Sequence, residues 1–248
     1  MAKITFLGTA SAVPNKDHHN SHLLVASDDR VILVDCPGNP IVRLDQAGID
    51  PLSITDLILT HFHPDHVSGL PLLLMDLWLL KRKSPLTIYG LVDVLERCKK
   101  LMSLYDWQEW VGMYDIKFHA VANNDVSTLV DSKTIKVWSA PVQHLIPTIG
   151  IKMKFSEGSV CYSADTAPCE TVVELAKGVD VLIHEATGHG NGHSSPAEAG
   201  IIARKAGVEK LYLIHYSPTS HPEDLIDRAK SQFPGEVILA KDLMTFTI

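Results

Sequence analysis

Cysteine is scarce in this chain, and the four residues present lie far apart. Cys36, Cys98, Cys161 and Cys169 form no C-x-x-C pair and no closely spaced framework. The segment Met1–Phe6 leads directly into a predicted strand and lacks the layout of a signal peptide. We therefore expect reduced cysteines in a cytoplasmic protein, and not a scaffold of disulfides.

Long apolar runs and an excess of positive charge are also missing. No run approaches the length of a membrane span, and no linker or low-complexity tract divides the 248 residues. The formal net charge of −7 does not favour general electrostatic binding of nucleic acid. Two basic groups, 81–83 and 99–100, are open to two interpretations, as local binding patches or as solvated helix faces. The length suits a single α/β domain, which we predict for residues 1–248.

Histidine, by contrast, is abundant, with 13 residues, and four potential ligands fall within six positions. His61, His63, Asp65 and His66 follow the apolar run 57–59. In an extended segment His61 and His63 point the same way, whereas Asp65 and His66 follow a turn into a helix that begins at Pro64. Imidazole and carboxylate are the usual ligands of hydrolytic Zn²⁺. One loop can therefore serve two metal ions.

Apolar periodicity and turn residues predict an alternation of strands and helices that places these ligands at a strand end. The predicted strands are 3–8, 21–26, 31–34, 57–60, 86–89, 116–120, 134–139, 149–155, 160–163, 179–184, 211–215 and 236–240. The predicted helices are one that ends near 47, one that begins at 64, and 72–80, 91–104, 168–177, 196–206 and 222–233.

Three later residues follow predicted strands and complete two ligand sets. They are His144, Asp165 and His215. Loops at strand ends converge on one rim in α/β folds. We predict that His61, His63 and His144 hold one metal, that Asp65, His66 and His215 hold the other, and that Asp165 bridges them, since a carboxylate has two oxygens.

Several other residues keep two interpretations. Asp35, at the end of a predicted strand, could orient a ligand histidine or simply form a turn. The loop histidines His18, His19 and His22 could line a site or lie exposed. The tryptophans of the middle region, Trp78, Trp107 and Trp110, could pack in the core, form a dimer face or line a substrate cleft.

The ligand pattern resembles that of the metallo-β-lactamase superfamily, and further motifs resemble its ribonuclease Z (tRNA 3′-processing endonuclease) branch. The motif His61–His66 and the three strand-end ligands carry the first resemblance. The second is carried by Leu7-Gly8-Thr9, Val13-Pro14, Gly69-Leu70-Pro71, His184-Glu185-Ala186-Thr187, His193-Ser194-Ser195 and Ile214-His215-Tyr216-Ser217-Pro218.

This resemblance implies a four-layer αββα sandwich and a di-zinc phosphodiesterase, in which a metal-bridging hydroxide attacks a phosphodiester. Asp65, Glu185 and His193 would be its catalytic residues, with His193 as the general acid and Glu185 holding its proton. Mn²⁺ or Fe²⁺ could replace Zn²⁺ in such a site. The resemblance also implies a homodimer and a phosphodiester substrate, which could be RNA.

One part of the family pattern is absent. The arm with which ribonuclease Z grips tRNA is inserted between the positions of His144 and Asp165, where this chain has only about twenty residues. The substrate therefore stays open. A cyclic nucleotide or another small phosphodiester is one alternative, and a lactone or thioester is another. A non-catalytic zinc-binding or nucleic-acid-binding module is the alternative from a different class.

Overall fold

The computed structural model describes all residues from 1 to 248, and its strands form two seven-stranded sheets. The first sheet has the order β14-β1-β2-β3-β4-β5-β6 and the second has the order β13-β12-β11-β10-β9-β8-β7. The strands are β1 Lys3–Gly8, β2 His22–Ala26, β3 Val31–Val34, β4 Asp56–Ile58, β5 Leu86–Leu91, β6 Ile116–Val121, β7 Ser127–Asp131, β8 Lys136–Val142, β9 Thr148–Lys154, β10 Ser159–Tyr162, β11 Val181–Glu185, β12 Lys210–Ile214, β13 Glu236–Leu239 and β14 Thr245–Thr247.

Seven α-helices accompany the two sheets. They are α1 Pro40–Gln46, α2 Pro64–Val67, α3 Leu70–Leu79, α4 Val92–Ser103, α5 Glu170–Ala176, α6 Pro196–Ala206 and α7 Pro222–Lys230. Helix α4 packs on β5 and β6 of the first sheet, whereas α5, α6 and α7 pack on the second. No helix is both long and apolar enough to cross a membrane.

Two apolar cores hold these layers together. The larger core contains 47 buried residues and joins the inner faces of both sheets, for example Phe6 and Ile32 of the first and Ile151 and Tyr212 of the second. The smaller core of 23 buried residues lies between the second sheet and its helices. The expected four-layer αββα sandwich is confirmed.

Helix α6 shows how local chemistry sets the boundaries of an element. The side chain of Ser195 accepts from the backbone of Glu198, and the Glu198 carboxylate accepts from the Ser195 backbone. Pro196 occupies the first turn, and Gly207 ends the helix with φ 71°. These signals are all local, and the predicted helix at 196–206 is confirmed at both ends.

Two strands are missing from the sequence-based prediction, and one begins elsewhere. β7 is a short edge strand with an irregular register against β8, and β14 has three residues that pair with β1. Such short strands carry too little alternation to be recognised. The predicted strand 57–60 ends at Ile58, because the Asp35 carboxylate and not a strand partner accepts from the Thr60 N–H, at 2.8 Å. The strand predicted at 134–139 begins at Lys136 and extends to Val142.

Helices α6 and α7 approach closely at Gly200, which yields a prediction for stability. A Cβ at this position would lie 2.5 Å from the carbonyl oxygen of Ala229. Although alanine favours the helix by about 1 kcal/mol, overpacking costs about 1–3 kcal/mol. Because the contacted atom belongs to the backbone and cannot move aside easily, the upper part of this cost applies, and we expect Gly200→Ala to lower the free energy of unfolding by roughly 1–2 kcal/mol in urea denaturation. Arg204→Ala, an exposed change in the same helix, should leave it within about 0.5 kcal/mol. An equal effect of both variants would contradict the close contact.

Candidate metal centre

The seven predicted ligands meet at one rim, where the two sheets end side by side. The loop after β4 and the short helix α2 supply the first four, and the ends of β8, β10 and β12 supply His144, Asp165 and His215. Backbone strain accompanies this convergence. Asp35, Ala164 and His215 have φ values of 63°, 53° and 55°, in the left-handed region that is costly for residues other than glycine. Such strain persists only where the surroundings enforce it, and it concentrates at functional sites.

The ligand atoms fall into the two predicted sets. His61, His63, His144 and Asp165 form one group, and Asp65, His66 and His215 form another; within each group the atoms lie within 4.8 Å of one another.

Asp165 stands between the two sets. Its Oδ2 lies 3.8 Å from the Nε2 atoms of His61 and His144 and 3.4 Å from the Nε2 of His215, and its Oδ1 lies 3.5 Å from the Nε2 of His66. Burial opposes its charge, but the facing His215 and His66 hold the pKa of the Asp165 carboxyl well below its usual range.

Unpartnered buried atoms provide a test of whether the site suits metal ions. Nε2 of His66, Nε2 of His215 and Oδ1 of Asp165 are buried and have no hydrogen-bond partner. Leaving buried polar atoms unpaired is costly, and all three atoms face the centre of the cluster. Divalent metal ions bound by imidazole and carboxylate would satisfy them, so the residues fit such ions. The role of each residue as a ligand stays a prediction.

Three of the predicted ligand histidines use the ring nitrogen that faces away from the cluster to form a hydrogen bond with the protein, which fixes the orientation of the ring. His66 Nδ1 donates to Asp35 at 2.8 Å, as expected from the first of the two interpretations of Asp35. His144 Nδ1 donates to the Gly192 carbonyl at 2.8 Å, and His215 Nδ1 donates to the Thr187 hydroxyl at 2.7 Å.

Thr187 and Gly192 are functional partners that the sequence reasoning missed. Thr187 follows the end of β11, and its hydroxyl also donates to the backbone carbonyl of His215 at 2.7 Å. The only signal for Thr187 was its place after Glu185, and Gly192 contributes a carbonyl that any residue type possesses. These contacts depend on how the loops meet and not on the residues of either loop alone.

The predicted catalytic pair lies beside the cluster. His193 Nδ1 donates to Oε1 of the fully buried Glu185 at 2.8 Å. Backbone amides of Thr166 and Thr187 also donate to the Glu185 carboxylate, at 2.9 and 3.1 Å. Burial disfavours a charged imidazole, but the hydrogen bond and the charge of Glu185 outweigh it, and the pKa of His193 is raised. The ring of His193 stacks on that of His215, with centroids 5.6 Å apart.

A cavity of about 330 Å³ opens onto the cluster, and its lining carries no lysine or arginine. The lining residues are Ser11, Ala12, Val13, His63, Pro64, Asp65, Asp165, Thr187, His193 and His215. Negative charge on a ligand in this cavity would thus be balanced by bound metal ions and by imidazole.

The remaining candidates lie elsewhere. His18 contacts Thr9, and His22 is buried with Nδ1 bonded to the Asn20 carbonyl, so neither joins the ligand sets. Trp78 and Trp110 stack with centroids 5.2 Å apart and lie half-buried against the larger core, as expected from the packing interpretation.

Comparison with known proteins agrees with this geometry. The family model described as "Anti-Pycsar protein Apyc1" matches residues 2–234. The ribonuclease Z of Methanothermobacter thermautotrophicus is 30% identical over 307 aligned positions, which cover 100% of this chain and 97% of the relative. The chain belongs to the anti-Pycsar protein Apyc1 family, in the ribonuclease Z-like branch of the metallo-β-lactamase superfamily. Because the chain has 248 residues, the longer relative contains segments without a counterpart here.

Two solved structures show the same fold. The metallo-β-lactamase fold protein YhfI of Bacillus subtilis has a TM-score of 0.85 at 24% identity and covers 99% of this chain and 98% of its own. The short form of human tRNase Z has a TM-score of 0.82 at 26% identity and covers 99% of this chain and 99% of its own. Together with the His/Asp cluster, the similarity to the ribonuclease Z of Methanothermobacter thermautotrophicus and to human tRNase Z identifies the protein as a metal-dependent hydrolase of the phosphodiesterase type.

The contact between Asp35 and His66 predicts an effect on metal affinity. Asparagine keeps only one of the two oxygens that accept from Thr60 and His66 and has no charge, so it orients His66 less firmly, and such outer contacts are worth about 10–100-fold in metal affinity. We expect Asp35→Asn to weaken binding of Zn²⁺ by that factor in a chelator-competition titration. Asp45→Asn, an exposed change of the same type, should bind like the wild type. Unchanged affinity in both variants would show that Asp35 only shapes the turn.

Proposed function

We propose that this hydrolase uses two Zn²⁺ ions to cleave small diesters with a single phosphate, of which cyclic nucleotides are the representative class. The observation that carries the proposal is the cavity at the metal cluster, which has about 330 Å³ of space and no cationic side chain. That volume lies near the lower end of small-molecule sites. A polyanion would find no lysine or arginine there to neutralise its further phosphates.

The connection between β9 and β10 supports the same substrate class. These strands pair antiparallel, and Phe155 and Gly158 close the turn between them with a backbone hydrogen bond of 2.8 Å. Nothing extends from the place where the resemblance would put a tRNA-gripping arm. The metal cavity is therefore open to a small substrate, while a large folded RNA lacks that means of attachment.

Bound metal ions would supply Lewis acidity that lowers the pKa of an attacking water and withdraws charge from the phosphate. The residues of this chain supply the remaining functions. Glu185 accepts from Nδ1 of His193 and raises the pKa of the imidazole, so His193 keeps its proton to a higher pH than an ordinary histidine and can donate from Nε2 to a leaving oxygen. Asp65 and Asp165 would bind the metal ions.

Cleavage of RNA in the manner of ribonuclease Z is the second candidate. It is supported by the curated ribonuclease Z of 30% identity over the whole chain. The Glu185–His193 pair fits it equally well, because both substrate classes have alkoxide leaving groups.

The predicted homodimer and the cytoplasmic location stay proposals as well, as does the single domain of residues 1–248.

Metal removal and a substrate panel test the function. We expect metal-stripped protein to be inactive on bis(p-nitrophenyl) phosphate and to regain turnover with two equivalents of Zn²⁺ or Mn²⁺. The restored enzyme should hydrolyse 3′,5′-cyclic nucleotides with a higher kcat/KM than it cleaves a precursor tRNA. His63→Ala should abolish both activities, and His119→Ala, an exposed histidine outside the cluster, should retain them. A higher kcat/KM on precursor tRNA would establish the second candidate instead.

The acid role of His193 predicts a dependence on the leaving group. We expect His193→Ala to lower turnover of cyclic nucleotides about 10²–10⁴-fold, because an alkoxide leaves poorly without a proton. Turnover of bis(p-nitrophenyl) phosphate should fall much less, since its phenolate leaves unaided. His189→Ala in the same loop is the control, because His189 bonds Glu198 and not Glu185. Equal losses on both substrates would exclude the acid role.

The same pair has a pH signature. The protonated imidazole is present below the raised pKa of His193 and is lost as pH rises through it. Glu185→Gln removes the charge that raises this pKa, so the basic limb of the pH–rate profile should move to lower pH.

A further inference from the structure

Two cavities, apart from the one at the metal cluster, lie on the outer face of the second sheet, at strands β7, β8 and β9. Their volumes are about 480 and 440 Å³, and both are lined by Trp138 and Lys154. The larger one continues onto helix α5 at Leu175. The half-buried indole of Trp138 therefore stands between two open spaces, in a part of the sheet that no helix covers completely.

The strand register puts basic residues around this tryptophan. In the antiparallel pair β8–β9, Trp138 lies opposite Lys152 and Lys136 lies opposite Lys154. Residues directly opposite share a face and have Cβ atoms about 5 Å apart, and alternate residues of one strand share that face as well. All four side chains thus project from the same outer surface.

The charge of this surface is only partly balanced by neighbouring acids. Asp131 pairs with Lys136 at 3.3 Å, and Glu174 pairs with Lys177. The Nζ of Lys152 donates to the Lys177 carbonyl at 2.9 Å, and neither Lys152 nor Lys154 has a carboxylate partner. Lys136 and Lys154 lie directly opposite each other, and like charges in opposite positions destabilise a sheet. A local conflict of this kind is typical of a functional surface.

This surface is separate from the metal centre. Trp138 precedes His144 by six residues along the direction of β8, which corresponds to about 20 Å of extended chain. The residues that line the outer cavities and those that line the metal cavity do not overlap.

We infer that the outer surface around Trp138 is a second, non-catalytic binding site for a nucleotide. A nucleobase stacks on the indole, since every base has a π-face and stacking on aromatic side chains tolerates all of them. The phosphate lies between the ammonium groups of Lys152 and Lys154. The ligand is a free mononucleotide or one unit of a single strand, and both present this chemistry. The site does not depend on the substrate that the metal centre cleaves.

Binding measurements on the metal-loaded protein test this site. Uridine 5′-monophosphate should quench tryptophan fluorescence and bind at a site additional to the metal centre in calorimetry. We expect Trp138→Leu to abolish the quenching and to weaken the additional site by about tenfold or more. The pair Lys152→Gln and Lys154→Gln should weaken it similarly. The control pair Lys81→Gln and Lys83→Gln makes the same charge change on an exposed segment elsewhere and should bind like the wild type.

Two further probes separate the sources of the ligand. If a phosphorothioate-linked hexauridylate binds at least tenfold more tightly than the mononucleotide, and if both the Trp138 and the lysine variants lose this gain, the natural ligand is a single strand. If the hexauridylate and the mononucleotide bind with equal affinity, the natural ligand is the free nucleotide.

Three results would overturn the inference. The first is equal binding of inorganic phosphate and the mononucleotide, and the second is unchanged binding in the paired lysine variant. The third is a single nucleotide site that His63→Ala removes. Turnover of bis(p-nitrophenyl) phosphate should stay at the wild-type level in every outer-surface variant, which shows that each is folded. If Trp138→Leu does not fold, the paired lysine variant still decides the question.

Discussion

A buried carboxylate between two groups of histidines is the constraint on which the rest of this structure depends. Asp165 is almost fully buried, as are the side chains of four of the histidines that approach the same point. Burying ionisable groups is expensive unless they are paired or bind metal. The unpaired buried atoms of the cluster therefore cost free energy, which bound divalent ions would offset. The surrounding loops keep these atoms facing one another.

The two sheets bring the residues of the cluster together because their strands end at a common rim. Strands of the first sheet deliver Asp35 and the His61–His66 loop, and strands of the second deliver the three distant ligands. The left-handed backbone at Asp35, Ala164 and His215 turns the chain sharply just where a side chain must enter the site. The apolar core of 47 buried residues, which joins the two sheets, stabilises these turns, because releasing one would disturb the packing around it.

The distribution of charge separates the functions of this surface. Around the metal cavity, the lining is acidic, neutral or imidazole, so recognition of a phosphate there would depend on bound metal ions and on His193. The lysines that face outward on β8 and β9 lie at the other end of these strands, beside the one tryptophan of that face. A protein of net charge −7 thus keeps a local basic surface away from its active centre.

Local patterns in the sequence were enough to predict most elements and the seven clustered residues. Side chains that can bind metal at the ends of strands can be recognised within a single segment of the sequence, and so can the capping box at Ser195 and Glu198. The sequence left the role of Asp35 open, and it gave no sign of β7, of β14, or of Thr187 and Gly192 as partners of ligand histidines. Nor could the position of Trp138 opposite Lys152 be predicted from the sequence. Periodicity describes which residues share a face of one strand, whereas register and loop contact decide which residues of different strands meet. Those contacts arise only when the two sheets pack, so the tertiary structure alone decided them.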